Sequence, residues 1–144
     1  MTRNTNIPEV QIIFKKWNQI LLNLRQNTGY MDGWYWLVAW HVEKGETFTQ
    51  WGIRETEEEA WIVLKPEQMK YVHTVHRKKE AENEERVGVI FLVEEWNGEP
   101  INTEPHKCKE LVWCDIDTLP EKTIPYIKVC IENIQRGIYY SETD

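Results

Sequence analysis

The chain has 144 residues, a formal net charge of −7 and three cysteines. Its length suggests one domain, residues 1–144, with a core large enough to fold alone. The acidic balance argues against nonspecific binding along a nucleic-acid backbone, but not against an enzyme for small phosphorylated substrates, because a divalent cation reverses the local sign of a site.

Residues 10–14 and 20–25 are short apolar runs and predict two strands around a turn. Lys15, Lys16, Trp17 and Asn18 fill that turn, where glycine is the expected residue. Residues 26–33 predict a loop, being rich in turn formers: Asn27, Thr28, Gly29, Asp32 and Gly33. A third strand is expected at 35–38. The pattern then predicts a helix over 47–60, its start marked by Thr47 and Gln50 as a capping box. Residues 68–76 and 86–96 predict two more strands, joined by the charged segment 77–85 as a solvated hairpin tip. A short strand follows at 109–114. A second helix is expected over 124–136, preceded by Pro120 and Pro125 and closed by Gly137. No repeat or low-complexity tract interrupts this order, and strands mixed with two helices imply an α+β sandwich.

Cys108, Cys114 and Cys130 are odd in number and irregular in spacing, so they read as reduced thiols and not as a disulfide framework. Residues 1–9 are polar, without a signal-peptide core, and no apolar run nears the roughly 20 residues that span a bilayer. The expectation is a cytoplasmic protein with no membrane partner.

The helix at 47–60 carries the chemistry. Glu55 and Glu59 lie one turn apart on one face, and Glu58 flanks them. An isolated acidic run such as 57–59 is most often a solvated helix face. Carboxylates this close repel one another unless a cation sits among them, and an all-oxygen set suits a hard ion such as Mg2+ or Mn2+. Such an ion polarises a phosphoryl oxygen and lowers the pKa of a bound water.

Residues 40–62 read W-H-V-E-K-G-E-T-F-T-Q-W-G-I-R-E-T-E-E-E-A-W-I. This resembles the Nudix box, G-x5-E-x7-R-E-U-x-E-E-x-G-U, where U is a bulky apolar residue. Glu46 falls on the first Glu, Arg54 and Glu55 on the Arg-Glu pair, Glu58 and Glu59 on the second acidic pair, and Ile62 on the final U. Thr56 stands at the other U position. Residues 21–33, L-L-N-L-R-Q-N-T-G-Y-M-D-G, are similar to the strand and loop that lead into the box. Residues 104–119, E-P-H-K-C-K-E-L-V-W-C-D-I-D-T-L, are similar to the family's distal segment. The resemblance covers about residues 12–140.

It implies an α/β/α sandwich with a Nudix-like mixed sheet between helices, and a Mg2+-dependent (or Mn2+-dependent) hydrolase. The substrate would be a small-molecule nucleotide, a nucleoside di- or triphosphate derivative cut at a pyrophosphate linkage. Glu55 and Glu59 would be the principal metal ligands, with Glu58 a further ligand or an activator of water. Glu46 and Arg54 would form a supporting ion pair, and Trp40 would offer its backbone carbonyl to the metal. Arg25 and Glu104 are candidates for substrate or second-metal contacts. His41 either approaches substrate phosphate or is a surface histidine. The alternative is a catalytically impaired Nudix-fold module that binds nucleotide without turnover. A homodimer is left open.

Both box glycines are tryptophan here, Trp40 and Trp61, and three further tryptophans, Trp17, Trp36 and Trp51, stand where glycine or another small residue is expected. Trp96 and Trp113 stand where the family often has tryptophan, and Trp34 is undecided. Drift would not choose one replacement five times. A code in which UGA means glycine, used by some bacteria and here read as tryptophan, explains the regularity; the other account is genuine tryptophans in a diverged relative.

Other groups carry less. His73 and His76, three apart on a strand, point to opposite faces. Cys108 and Cys114 lack zinc-knuckle spacing. Tyr139 and Tyr140 either stack on a base or pack the last helix against the sheet.

Overall fold

The structure is a computed structural model that describes residues 2–79 and 84–143, less the side chains of Trp40, His41 and Lys79. Among the described residues eight strands form one mixed sheet. Its central strand is β1 (Ile7–Lys16). Val10, Ile12 and Phe14 alternate on this strand with Glu9, Gln11 and Ile13, and both sets are buried. A strand covered on both faces needs a layer on each side.

Strand β1 is flanked by β4 (Val38–His41), antiparallel, and by β6 (Glu84–Val93), parallel, with Ile12 opposite both Val38 and Phe91. Strand β5 (Lys70–Lys79) pairs antiparallel with β6 and carries β8 (Tyr140–Thr143) parallel on its other side. At its far end β1 turns through Trp17 and Asn18 into β2 (Gln19–Arg25), which pairs with β3 (Tyr35–Trp36) and β7 (Cys108–Asp115).

Helix α1 (Phe48–Ala60) packs through Trp51 on Val10, Ile12 and Phe14. Gly52 permits the close approach, since a Cβ there would stand 2.9 Å from Met69 Cε and 3.5 Å from Ile12 Cδ1. Helix α2 (Pro125–Gln135) covers the other face with Tyr126, Ile127, Cys130 and Ile131 against Ile13, Val75 and Ile90. Each fully buried aliphatic side chain contributes about 1.5–3 kcal/mol. The result is the α/β/α sandwich expected from the sequence. No described helix is long and apolar enough to cross a membrane.

Three expectations need correction. The strand at 35–38 is two strands, because the chain leaves β2 at Trp36 and joins β1 from Val38, with Leu37 fully buried between. The segment 77–85 is not wholly a solvated tip: Lys79 pairs with Glu84, and Arg77 is 3% exposed against Glu9. Residues 80–83 of that segment lie outside the described residues. Strand β8 went unforeseen, because its order comes from pairing with β5, some sixty residues distant in sequence.

Candidate active site

Helix α1 begins as its sequence requires. The Thr47 hydroxyl accepts from the Gln50 N–H at 3.1 Å, and the Gln50 side-chain oxygen accepts from the Thr47 N–H at 3.0 Å. This reciprocal cap fixes the loop that carries Glu46 relative to the first turn. Arg54 then reaches back: its Nε donates to Glu46 Oε1 at 2.9 Å, and its Nη1 lies 3.1 Å from Glu58 Oε2 and 3.2 Å from Glu55 Oε1. One guanidinium thus gathers three of the box carboxylates, using its planar fork of donors. It also lies 4.2 Å above the Trp51 ring, which is buried beneath it.

Glu55 is buried and bonded to Glu59 carboxyl to carboxyl. Burial, then the Glu59 hydrogen bond and charge, push its pKa up to about 7, against the opposing pull of Arg54. The donor set is all oxygen, so these residues fit a hard divalent ion. Among the described residues no three His, Cys, Asp or Glu side chains stand grouped as they would around an ion. Glu58, 58% exposed, is turned to Arg54 rather than to the Glu55–Glu59 pair.

The helix ends at Trp61, with φ 58° and ψ 29° in the left-handed region. Loop 97–108 docks against this end. The Thr103 hydroxyl donates to the Glu59 carbonyl, and the Ile101 N–H donates to the Ala60 carbonyl at 3.4 Å. Asn102 closes the loop, donating to the Cys108 carbonyl at 2.7 Å and accepting from the Glu104 N–H at 3.1 Å. Glu104 is thereby held on the wall of a cavity of about 730 Å³ that Glu59, Arg25, Asn23, Trp36 and Ile101 also line. That volume falls in the range of small-molecule sites.

Arg25 stands at the end of β2, its Nε donating to the Tyr30 carbonyl at 2.8 Å and its Nη2 to the Thr28 hydroxyl at 3.0 Å. The same cavity wall carries a second charged group. Glu9, buried, accepts from Arg77 at 3.1 Å and from Arg86 at 2.6 Å. Arg77 lies 4.0 Å above the Tyr126 ring.

The structure therefore brings together Glu46, Arg54, Glu55, Glu58 and Glu59 on and before α1, and places Arg25 and Glu104 with Glu59 on one cavity. Trp40 and His41 belong to β4, their backbones opposite Val10 and Glu9, while their side chains lie outside the described residues. Sequence reasoning missed Thr103, Asn102 and the Glu9–Arg77–Arg86 group. The proximity of 102–108 to a pattern similar to the family's distal segment was the only signal for the first two. Nothing local announces that Glu9 and Arg77 meet. Away from the cavity, His73 is buried between the Ile138 carbonyl and Ser141, whereas His76 faces Glu85 at 3.2 Å. Tyr139 stacks on Tyr71 with centroids 6.1 Å apart, and Tyr140 opens β8.

Known proteins share this fold. A MutT Nudix hydrolase from Burkholderia pseudomallei is similar in structure, with a TM-score of 0.79, 24% identity, and coverage of 90% of this chain and 98% of that one. A MutT protein from Bacillus halodurans gives a TM-score of 0.75 at 20% identity, over 94% and 88% of the two chains. A MutT protein from Methanosarcina mazei gives 0.77 at 16%, over 94% and 97%. At these identities the likeness speaks to the fold. The sequence itself matches the NUDIX domain over residues 10–132, most of the chain. The protein belongs to the Nudix family and is a Nudix pyrophosphohydrolase.

Proposed function

We propose that the chain hydrolyses a pyrophosphate linkage in a nucleoside di- or triphosphate derivative, and that Glu55 and Glu59 hold the Mg2+ or Mn2+ it requires. The observation that carries this is the hydrogen-bonded Glu55–Glu59 pair on α1, with Glu59 on the cavity wall. When bound, the ion polarises a phosphoryl oxygen and lowers the pKa of a water.

The chain's own residues do the rest. Arg54 holds Glu46, Glu55 and Glu58 at fixed spacing, so that their charges need not reorganise as the reaction proceeds. Glu58 is the most exposed of the carboxylates paired with Arg54 and is the base that takes a proton from the attacking water. Trp40 contributes its backbone carbonyl to the ion. Arg25, Glu104 and His41 position the substrate. The reading keeps residues 1–144 as one domain and, with three unpaired cysteines, places it in the cytoplasm.

One observation favours the rival, a module that binds nucleotide without turnover: Trp36 and Trp51 fill space near the site. A panel of nucleoside triphosphates, nucleotide sugars and dinucleotides, assayed for phosphate or pyrophosphate release with Mg2+, Mn2+ or a chelator, separates the two. Release that stops with the chelator supports the hydrolase. Nucleotide binding with no release from any compound supports the module.

A further inference from the structure

The sheet has edges of unequal length. Strand β3 has two residues, and β4 and β8 have four each. Strand β7 has eight, Cys108–Asp115, and among the described strands it pairs with β2 alone. A short edge resists pairing with another chain, whereas a long one needs a bulge, proline, charge or a cover. Residues 108–115 contain no proline and no glycine. Strand β7 therefore offers an outer row of main-chain groups, and its charges decide what can pair there.

Hydrogen bonds locate the open part of this edge. At one end Cys108 is covered: its N–H donates to the Glu104 carbonyl at 2.8 Å, and its carbonyl accepts from the Asn102 side chain at 2.7 Å. At the other end the chain turns away after Asp115, whose carbonyl accepts from the Thr118 N–H at 3.2 Å. Between these ends β2 and β7 stay in step from Gln19–Asp115 to Leu24–Glu110, and the Ile116 N–H donates to the Asn18 carbonyl at 2.8 Å. Antiparallel pairs alternate between bonded and non-bonded positions. In that alternation Glu110, Val112 and Cys114 bond to β2, and the main chains of Leu111 and Trp113 face outward.

The open edge runs from Lys109 to Asp115, with Val112 at its midpoint. Its two ends are exposed and opposite in charge. The Asp115 carboxylate is held in place, accepting from the Asn18 side chain at 3.1 Å and from the Asp117 N–H at 2.8 Å. We propose that this edge joins two copies of the chain, with β7 pairing antiparallel to β7 of the second copy about a two-fold axis at Val112. Lys109 of each copy then lies opposite Asp115 of the other. Leu111 and Trp113 exchange main-chain hydrogen bonds across the axis, and Glu110 has the neutral Cys114 opposite. The two Val112 residues meet at the non-bonded position, where Cα atoms stand about 4.5 Å apart. Other two-fold registers fit worse. Centring on Glu110 sets two carboxylates together, and centring on Leu111 sets Cys114 against the covered Cys108. Centring on Trp113 carries Lys109 past the end of the opposite strand. An edge this short makes a small interface, so the dimer is weak, with a Kd of about 10–100 µM.

Sedimentation velocity of the parent from about 5 to 500 µM brackets that constant. The parent should pass from monomer to a species of twice 17.3 kDa as concentration rises. Lys109→Glu sets like charges at both ends and should weaken association by about tenfold or more, and Asp115→Lys should do the same. An equimolar mixture of these two variants should restore the dimer, because each mixed pair has opposite charges at both ends. A parent that stays monomeric at the highest concentration overturns the proposal. So does a dimer indifferent to Lys109→Glu, which would use another surface. Disulfide trapping reads the register. With Cys108→Ser and Cys114→Ser in place, Val112→Cys should give a covalent dimer when diamide is the oxidant, and Lys109→Cys should not. Equal trapping at both positions, or none at 112, overturns the pairing about Val112. Should Asp115→Lys fail to fold, trapping supplies the charge readout. Adding Lys109→Glu to Val112→Cys should slow trapping by about tenfold, and an unchanged rate overturns the Lys109–Asp115 contact.

Discussion

The carboxyl groups of Glu55 and Glu59, one helical turn apart, share a hydrogen bond, and burial holds Glu55 up near pH 7. Around the pair, Arg54 holds Glu46 and Glu58, and the Thr103 hydroxyl donates to the Glu59 carbonyl. Arg54 also reaches the Glu55 end of the pair, at 3.2 Å.

Glu59→Gln should lower pyrophosphate-bond hydrolysis by at least about a hundredfold, the scale of losing one participating carboxylate. The circular dichroism spectrum should match that of the parent, because the Glu59 backbone carbonyl that accepts from Thr103 is untouched and Gln keeps the side chain's size and an acceptor oxygen. A rate like the parent's would take Glu59 out of the site.

Metal-free stability should depend on pH through Glu55. Its folded pKa, about 7, lies above the ordinary carboxylate value of 4.5. The folded state therefore binds the extra proton between those two values, and stability falls as pH rises through that window. Mg2+ or Mn2+ binds the deprotonated pair, so it should raise the melting temperature more at pH 8 than at pH 5. Glu55→Gln should flatten the metal-free slope and remove the metal effect. A metal effect of equal size at both pH values would separate the ion from this pair.

Arg54→Ala removes partners of Glu46, Glu55 and Glu58 together, and uncovers Trp51. Exposed ion pairs are individually weak, and Arg54 is partly solvated, so the expected fall in melting temperature is modest, about 2–4 °C. Turnover should drop further than stability does, since the carboxylates lose their spacing. Arg54→Lys should restore the charge but not the three-way geometry, and so recover stability more than rate. If Lys restores both, the fork geometry is irrelevant.

The tryptophans should divide by physical cause. Trp17 and Trp61 carry a side chain at left-handed φ and are 89% and 65% exposed, so little packing is lost on truncation. Trp17→Gly and Trp61→Gly should each stabilise by about 1 kcal/mol. Trp96 stacks on Trp113 at 6.1 Å and meets Phe14 edge-on at 5.5 Å. Trp96→Gly should cost about 2–4 kcal/mol, less than for a fully buried ring. Thermal melts of the three variants decide it. If all three lose stability alike, tryptophan belongs at 17 and 61.

The same division can be read in the gene. An altered code expects UGA at 17, 36, 40, 51 and 61 and UGG at 96 and 113, and sequencing the coding strand checks it directly. UGG at all seven positions would end the idea.

Sequence alone determined what depends on neighbours a few residues apart. The Thr47–Gln50 cap and the helical face shared by Glu55 and Glu59 follow from helical spacing, the Arg54–Glu46 pair was implied by the family pattern, and the structure has all three at hydrogen-bond distance. The family pattern placed Glu104 near the site, and loop 97–108 does dock on the helix end. Tertiary structure decided what depends on pairing across the chain. Arg77 looked like one more charge in a solvated run until β1 brought Glu9 beside it, where two buried opposite charges satisfy each other. Strand β8 gains its order from pairing with β5, and the surroundings of Trp36 come from Arg25, Tyr30 and Tyr126 closing around it. Local periodicity sets which face of an element is apolar or charged; burial, and with it the identity of each partner, is a property of the assembled layers.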